Sequence, residues 1–224
     1  METFRRFEKK YLLDKDQYEN LMGKLADHVK ADKFFQSYIC SIYYDTDDHR
    51  LIRRSLEKPE YKEKLRIRSY GRAKGDQKVF VELKKKFDGV VYKRRTEAPC
   101  DDALKDIRSC SFKDPQVGKE ILYALNYYQK LKPSIFVGCR RTSYTGIKEE
   151  DLRITFDQDI AYRCEDLSLE REKQDKPVTD KIVMELKVKD AMPLWLSGIL
   201  DEVGVYPQGF SKVGNAYLKE LRGV

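Results

Sequence analysis

Two neighbouring segments, 64–71 and 79–86, carry charged side chains at every second position. In the first, Lys64, Arg66 and Arg68 alternate with apolar residues, and in the second Lys84 and Lys86 follow the same spacing. Period two is typical of a β-strand with two unlike faces. Ammonium and guanidinium groups bind phosphate oxygens. If the basic faces of such strands curl inward, they form a tunnel for a polyanion, whereas a single half-buried strand with its charges in water has a similar pattern.

The pattern recurs along the chain, and basic residues outnumber acidic ones on the candidate faces. The basic positions are Arg6, Lys10, Lys64, Arg66, Arg68, Lys84, Lys86, Lys93, Arg95, Arg141, Arg153 and Lys187, and the acidic ones are Glu8, Glu82, Glu97, Asp157 and Glu185. Packed together, these cations repel one another unless an anion offsets them. Phosphoryl transfer needs such a site, with cations on phosphate oxygens and a carboxylate on a divalent metal. Alternatively, half of these residues face solvent and form surface salt bridges.

Composition restricts the class of partner and the compartment. The 224 residues carry a net charge of +7, which favours an anionic partner. Glycine-rich phosphate loops and the aromatic-basic motif of RNA-binding sheets are absent from the sequence, so we expect no nucleic acid partner. No apolar stretch is long enough to span a membrane, so we expect no membrane insertion by this chain. Five cysteines without CxxC spacing predict reduced thiols in a cytoplasmic protein.

The secondary structure that must position these charges is read from periodicity and turn signals. Strands are predicted at 4–13, 38–45, 61–70, 78–86, 90–97, 134–144, 152–160 and 181–188. Helices are predicted from Asp14 to Val29, at 49–55 and 101–109, from Asp114 and near the C-terminus, and 165–181 is predicted to be a flexible surface loop. This pattern favours an α+β class with a mainly antiparallel sheet or barrel, in a single domain over residues 1–224.

The order of several short motifs resembles a known family. These motifs are Lys10-Tyr11, SIYYD (41–45), LRIRSYG (65–71), VFVELKKK (79–86), Lys93, CRRTSY (139–144), LRITFD (152–157), VMELKV (183–188) and FSK (210–212). Together they resemble the catalytic domain of the vacuolar transporter chaperone (VTC) polyphosphate polymerases, which are triphosphate tunnel metalloenzymes related to CYTH-type triphosphatases. The resemblance implies an antiparallel eight-stranded β tunnel with flanking helices. It also implies transfer of the γ-phosphate of ATP to a growing polyphosphate chain.

The resemblance also implies roles for individual residues. The residues implied to be catalytic are Lys10, Arg66, Arg68, Lys84, Arg141 and Arg153. By the same resemblance, Arg6, Lys93, Ser211 and Lys212 are expected to bind ATP, polyphosphate or triphosphate. Arg95 and Lys187, which the alternation places on the basic faces, are expected to bind the same ligands. Glu185 is expected to bind Mn²⁺ or Mg²⁺, because it matches the family's metal ligand.

The first strand departs from the pattern of the related triphosphatases. CYTH triphosphatases begin with ExExK, whereas this chain has Arg6-x-Glu8-x-Lys10, so one acidic position is basic. This departure favours a polymerase over a hydrolase. Two alternatives remain: a triphosphatase that hydrolyses tripolyphosphate or a nucleoside triphosphate in the same tunnel, and a non-catalytic polyphosphate-binding module.

Overall fold

The computed structural model describes residues 7–88, 90–170, 175–189 and 191–222, and these contain nine strands and six helices. The strands are β1 (Phe7–Leu13), β2 (Val29–Asp45), β3 (Tyr61–Tyr70), β4 (Lys78–Phe87), β5 (Val90–Pro99), β6 (Lys132–Gly146), β7 (Arg153–Arg163), β8 (Lys176–Pro177) and β9 (Ile182–Val188). The helices are α1 (Lys15–Leu25), α2 (Arg50–Leu56), α3 (Cys100–Lys105), α4 (Pro115–Tyr128), α5 (Leu194–Glu202) and α6 (Lys212–Arg222). None of the helices in these ranges is both long and apolar enough to cross a membrane.

The strands are hydrogen-bonded in the order β1-β9-β7-β6-β2-β3-β4-β5, and β8 pairs with β7. The neighbouring pairs β1–β9, β7–β9, β2–β3, β3–β4 and β4–β5 are all antiparallel. The predicted α+β class with an antiparallel sheet of eight main strands is therefore confirmed. Antiparallel neighbours can be joined by a short hairpin connection, as β4 and β5 are.

The chain divides into two compact units. Unit 1 comprises Met1–Ser37, Cys139–Ile160 and Thr179–Ser211, and unit 2 comprises Tyr38–Gly138, Ala161–Val178 and Lys212–Val224. Each unit has its own hydrophobic cluster of buried residues. The prediction of a single domain over the whole chain stays a prediction.

Carboxylate side chains accept hydrogen bonds from the first backbone N–H groups of two helices. The Asp14 carboxylate accepts a hydrogen bond from the Gln17 backbone N–H at 2.8 Å, and the Gln17 side chain accepts one from the Asp14 N–H, which forms a capping box before α1. The buried carboxylate of Asp45, at the end of the SIYYD motif, accepts hydrogen bonds from the backbone N–H groups of Leu51 and Ile52 in α2. Asp45 therefore fixes α2 against the end of β2.

Two sequence-based predictions of secondary structure are wrong. The sequence predicts that α1 extends to Val29, whereas the helix ends at Leu25 and Val29 is the first residue of β2. Val29 lies four residues after Leu25 and packs in the same core, but it reaches that core from a strand. The segment 165–181 is packed where it is described, although 171–174 lie outside the described residues. Leu169 and Val178 are buried, and the Arg163 guanidinium donates two hydrogen bonds to Asp175 at 3.0 Å.

Candidate functional site

Strands β2 to β5 of unit 2 carry a polar face that we call the Glu82 face. Tyr43, Arg66, Glu82 and Arg95 lie opposite one another in a row across the four strands. A second row has Lys64, Lys84 and Lys93, and a third has Ser41, Arg68 and Phe80. The residues between them, Leu65, Ile67, Val81 and Leu83, point the other way into the core of unit 2. The predicted facing of β3 and β4 is confirmed, whereas the predicted roles of these side chains stay predictions.

Four cations converge on the carboxylate of Glu82, which is only 1% exposed. Its Oε2 is 2.8 Å from Nε of Arg66 and 4.0 Å from Nε of Arg68, and its Oε1 is 2.9 Å from Nζ of Lys93 and 3.4 Å from Nε of Arg95. Burial alone would raise the pKa of Glu82, but the charges of Arg66, Arg68 and Lys93 outweigh it and lower the pKa to about 2. Glu82 is therefore ionised at neutral pH.

Arg66 is held from two sides. Its Nε and Nη2 contact Glu82, and its Nη1 donates a hydrogen bond to Oη of Tyr43 at 2.9 Å. Of the five guanidinium N–H groups, these contacts use three, so one on each Nη is not used by Glu82 or Tyr43. Burial would raise the pKa of Tyr43, but Arg66, Arg68 and Lys64 lower it to about 8. The adjacent Arg68 donates from Nε to Oγ of Ser41 at 3.2 Å.

The Glu82 face carries an excess of positive charge. Four cations within 4.0 Å of one carboxylate leave the group with a net positive charge. The half-buried Lys84 and Lys86 extend the face along β4. Burial lowers the pKa of Lys62, and the nearby charges of Lys86, Lys58 and Lys84 lower it further. The face therefore favours binding of a polyanion.

Strands β1, β9 and β7 of unit 1 carry a second polar face, which we call the Glu185 face. Lys10, Glu185 and Thr155 lie opposite one another, and Glu8, Lys187 and Arg153 form the next row. The alternate residues Met184, Leu186, Ile154 and Phe156 are buried in the core of unit 1. The strand facing that the alternation predicts for Glu185 is thus confirmed.

The Glu185 carboxylate is 9% exposed and forms an ion pair with the ammonium of Lys187. Burial would raise the pKa of Glu185, but Lys187, Lys10 and Arg141 outweigh it and lower the pKa to about 2. The buried Oγ1 of Thr155 lies in the same row, and among the residues that the structure describes it has no hydrogen-bond partner. An ionised carboxylate and an unsatisfied hydroxyl oxygen thus lie together.

Arg141 and Arg153 have different surroundings in unit 1. Arg141 forms a bidentate pair with the buried Asp157, with Nε–Oδ1 and Nη2–Oδ2 distances of 2.6 Å. This pairing raises the pKa of Arg141 in spite of its burial. Arg153 shares a strand face with Thr155, but its exposed guanidinium pairs with Asp32 at 2.9 Å. The guanidinium of Arg141 is therefore largely buried beside Asp157, whereas that of Arg153 is exposed.

The remaining predicted residues belong to β1 and to the start of α6. Lys10 binds the segment before α6, because its Nζ donates to the carbonyl of Phe210 at 3.1 Å and its carbonyl accepts from the N–H of Gln208 at 2.8 Å. Ser211 and Lys212 follow directly and are half-buried at the start of α6. Arg6 lies outside the described residues.

The oxygen donors of the Glu185 face fit a partial metal site. The described ranges contain no group of three or more His, Cys, Asp or Glu side chains that could bind a metal ion by themselves. Mg²⁺ is usually bound by one or two carboxylates, with waters and phosphate oxygens as the other ligands. Glu185, with the hydroxyl of Thr155 beside it, fits that pattern, although Lys187 occupies one of its oxygens. Binding of Mn²⁺ or Mg²⁺ at Glu185 stays a prediction.

Sequence reasoning did not identify three residues that the structure places at the centre of these faces. Glu82 and Asp157 were recognised as acidic members of alternating strands, but no role was assigned to them. Glu82 is the carboxylate on which four cations converge, and Asp157 is the carboxylate that binds Arg141. Tyr43 alternates with Ser41 and Asp45 in the SIYYD motif, and this spacing is the only sequence signal that places it on the basic face.

Two solved structures share the fold. A Bacillus halodurans protein described as a "putative adenylate cyclase" is 15% identical, with 91% of this chain and 92% of the other covered and a TM-score of 0.56. A Hippeastrum protein, described as a "putative adenylyl cyclase" with a dominant triphosphatase activity, is 17% identical over 93% of each chain, with a TM-score of 0.50. No curated protein sequence matches significantly. The chain shares the fold of these two proteins, and the triphosphate tunnel that the motifs imply stays a prediction.

Residues 5–220 match the VTC domain, which covers almost all of the 224 residues. The chain belongs to the VTC domain family. The family predicted from the order of the short motifs is therefore confirmed.

Proposed function

We propose that this chain is a metal-dependent polyphosphate polymerase, which transfers the γ-phosphate of ATP to a growing polyphosphate chain and releases ADP. The observation that carries the proposal is the convergence of Arg66, Arg68, Lys93 and Arg95 on the single carboxylate of Glu82. Membership of the VTC domain family supports it. One buried anion does not balance four cations, and a chain of phosphates supplies the missing negative charge.

The Glu82 face suits a linear polyanion because its cations are arranged in rows. Successive rows on a strand are two residues apart, which is about 7 Å. Arg68, Arg66 and Lys64 occupy successive rows on β3, and Lys84 lies beside Lys64. Each row can bind a different phosphate group, and fixed cations of this kind stabilise negative charge that develops during phosphoryl transfer.

The residues of the Glu185 face have a separate part in the proposal. Glu185 and Thr155 would bind a divalent ion, which when bound would neutralise charge on phosphate oxygens. Arg141, held by both oxygens of Asp157, is fixed in orientation before any ligand arrives. Lys10 fixes the backbone that leads to Ser211 and Lys212. The five free cysteines are compatible with the cytoplasmic location that we propose.

A triphosphatase is the second candidate function. The Hippeastrum protein with the same fold is described as having dominant triphosphatase activity, and its identity to this chain is 17%. The cations of the Glu82 face would bind a triphosphate equally well in this case, and water would replace polyphosphate as the acceptor.

One assay separates these functions. The purified chain is incubated with ATP and Mn²⁺ or Mg²⁺, and nucleotides, phosphate and polyphosphate are resolved. We expect ADP and long polyphosphate. Free phosphate with no polymer would replace the polymerase proposal with a triphosphatase, and tight polyphosphate binding without turnover would indicate a binding module.

Paired variants connect the result of this assay to the Glu82 face. Arg66→Ala should abolish polymer formation. Arg94→Ala is the matched control, because Arg94 is on the same strand as Arg95 but is exposed on the other face, where it pairs with the half-buried Glu120. Equal loss of activity in both variants would show that the effect does not come from the Glu82 face.

A further inference from the structure

Two aromatic rings and a guanidinium form a cluster at one end of the Glu82 face, which we call the Tyr70 cluster. Tyr70 ends β3, Phe80 lies near the start of β4, and their ring centroids are 5.7 Å apart at 78°. Cζ of Arg95 lies 3.5 Å from the centroid of the Phe80 ring and 5.4 Å from that of Tyr70. The Tyr70 cluster is continuous with the cations around Glu82, because Nε of Arg95 is also 3.4 Å from Glu82.

Packing alone does not account for Tyr70. A ring that only fills the core is buried, whereas Tyr70 is 50% exposed. Burial would raise the pKa of its hydroxyl, but Arg95 and Arg68 lower it, so the ring lies within the field of the basic cluster. A half-exposed aromatic ring beside a planar guanidinium is the surface on which nucleobases stack.

We propose that Tyr70, Phe80 and Arg95 form the binding site for the base of a nucleoside triphosphate whose phosphates lie on the Glu82 face. The inference rests on the proposed function and extends it from phosphate binding to nucleotide recognition. This base site binds a planar aromatic ring, and stacking supplies its affinity for that ring.

The register fixes the direction in which the nucleotide lies. Arg68 is opposite Phe80, the row of Arg66 follows at about 7 Å, and the row of Lys84 follows at about the same distance again. A base on Tyr70 therefore places its first phosphate near Arg68 and directs the terminal phosphate towards Lys84. Stacking is tolerant of base identity because every base has a flat face, so ATP and GTP should bind with similar affinity.

Binding measurements without metal, which prevent metal-dependent turnover, test the site. The ligands are ATP and tripolyphosphate, titrated calorimetrically in EDTA into the wild-type chain and into Tyr70→Ala, Tyr70→Phe and Tyr92→Ala. Tyr92 is a matched control, because it is 47% exposed on β5 and belongs to the opposite strand face from Lys93 and Arg95. We expect Tyr70→Ala to weaken ATP binding roughly tenfold and to leave tripolyphosphate binding unchanged. Tyr70→Phe and Tyr92→Ala should bind both ligands as the wild type does.

The outcomes distinguish this inference from the proposed function. If wild-type protein binds tripolyphosphate but Tyr70→Ala binds ATP normally, the base site is refuted and the phosphate site stands. An equal loss of both ligands in Tyr70→Ala also refutes it, since the residue would then support the phosphate site. If the wild type binds neither ligand, the proposed function and the base site both fail.

A spectroscopic readout does not depend on affinity. In the wild type, the adenine H2 and H8 proton resonances should move upfield when ATP binds beneath an aromatic ring. This shift should be absent in Tyr70→Ala and retained in Tyr70→Phe. An unshifted adenine spectrum in wild-type protein saturated with ATP would overturn the proposal.

Discussion

Glu82→Gln tests whether four cations hold one buried carboxylate in its ionised form. The substitution keeps the shape of the side chain and removes its charge. The pKa of Glu82 falls from the ordinary value of 4.5 to about 2, and the side chain is 1% exposed, so solvent screening is small. At about 1.4 kcal/mol per pKa unit, the ionised form contributes about 3 kcal/mol to the free energy of unfolding. We therefore expect Glu82→Gln to lower the free energy of unfolding by about 3 kcal/mol at pH 7.

The stability that ionised Glu82 contributes should decrease as the pH falls. The folded-state pKa of Glu82 is lower than the unfolded-state value, so the unfolded chain takes up the proton first as the pH falls below about 4.5. The stability that ionised Glu82 provides is complete above that pH and is lost as the pH falls towards 2. The difference between wild type and Glu82→Gln should therefore shrink by about 2 kcal/mol between pH 7 and pH 3. Glu185 titrates in the same range, but it is present in both proteins and cancels.

Urea unfolding of both proteins at a series of pH values measures this difference. Glu120→Gln is the control, because Glu120 pairs with exposed Arg94 in the same unit. A surface pair of this kind should change the free energy of unfolding by less than about 1 kcal/mol. If the difference between wild type and Glu82→Gln is the same at pH 7 and pH 3, the reasoning that the surrounding cations hold Glu82 ionised is wrong.

Three further predictions concern the ligand, the cations and the metal. Millimolar tripolyphosphate at low salt should raise the melting temperature by several degrees, because a ligand at 100 times its Kd adds about 2.7 kcal/mol; an unchanged midpoint would contradict a preformed anion site. Arg66→Ala and Arg68→Ala should each lose turnover and retain wild-type circular dichroism, since both guanidinium groups lie on the Glu82 face; near-normal turnover in both would contradict their catalytic role. Glu185→Gln should still bind polyphosphate but need far more Mn²⁺ for activity, and an unshifted Mn²⁺ midpoint would remove Glu185 from the metal site.

The facing of the strands could be predicted from sequence because it depends on local periodicity. In β3, Leu65 and Ile67 are buried and Arg66 and Arg68 lie on the polar face, as the alternation indicates. The same reasoning failed at Val29, where one apolar residue at helical spacing from Leu25 also suited the first position of a strand. Periodicity assigns a face only where several consecutive residues agree.

Pairing between strands could not be predicted, because it depends on register and on distant segments. The cations around Glu82 come from β3 and β5, and only the alignment of both strands with β4 brings them to one carboxylate. The pairing of Arg153 with Asp32 joins residues that are far apart in the sequence. The contacts of Arg163 with Asp166 and Asp175 similarly follow from tertiary structure, because a charged composition alone is typical of a surface loop.

The contacts of Arg66 with Glu82 and Tyr43 affect both the entropy cost and the rate of ligand binding. A free arginine side chain samples many rotamers, and immobilising it costs up to about 2 kcal/mol. Glu82 and Tyr43 restrict Arg66 when the chain folds, so an arriving anion meets a guanidinium that already has its bound orientation. An anion can then bind Arg66 without rearrangement of the side chain. The association rate should therefore depend mainly on diffusion and ionic strength.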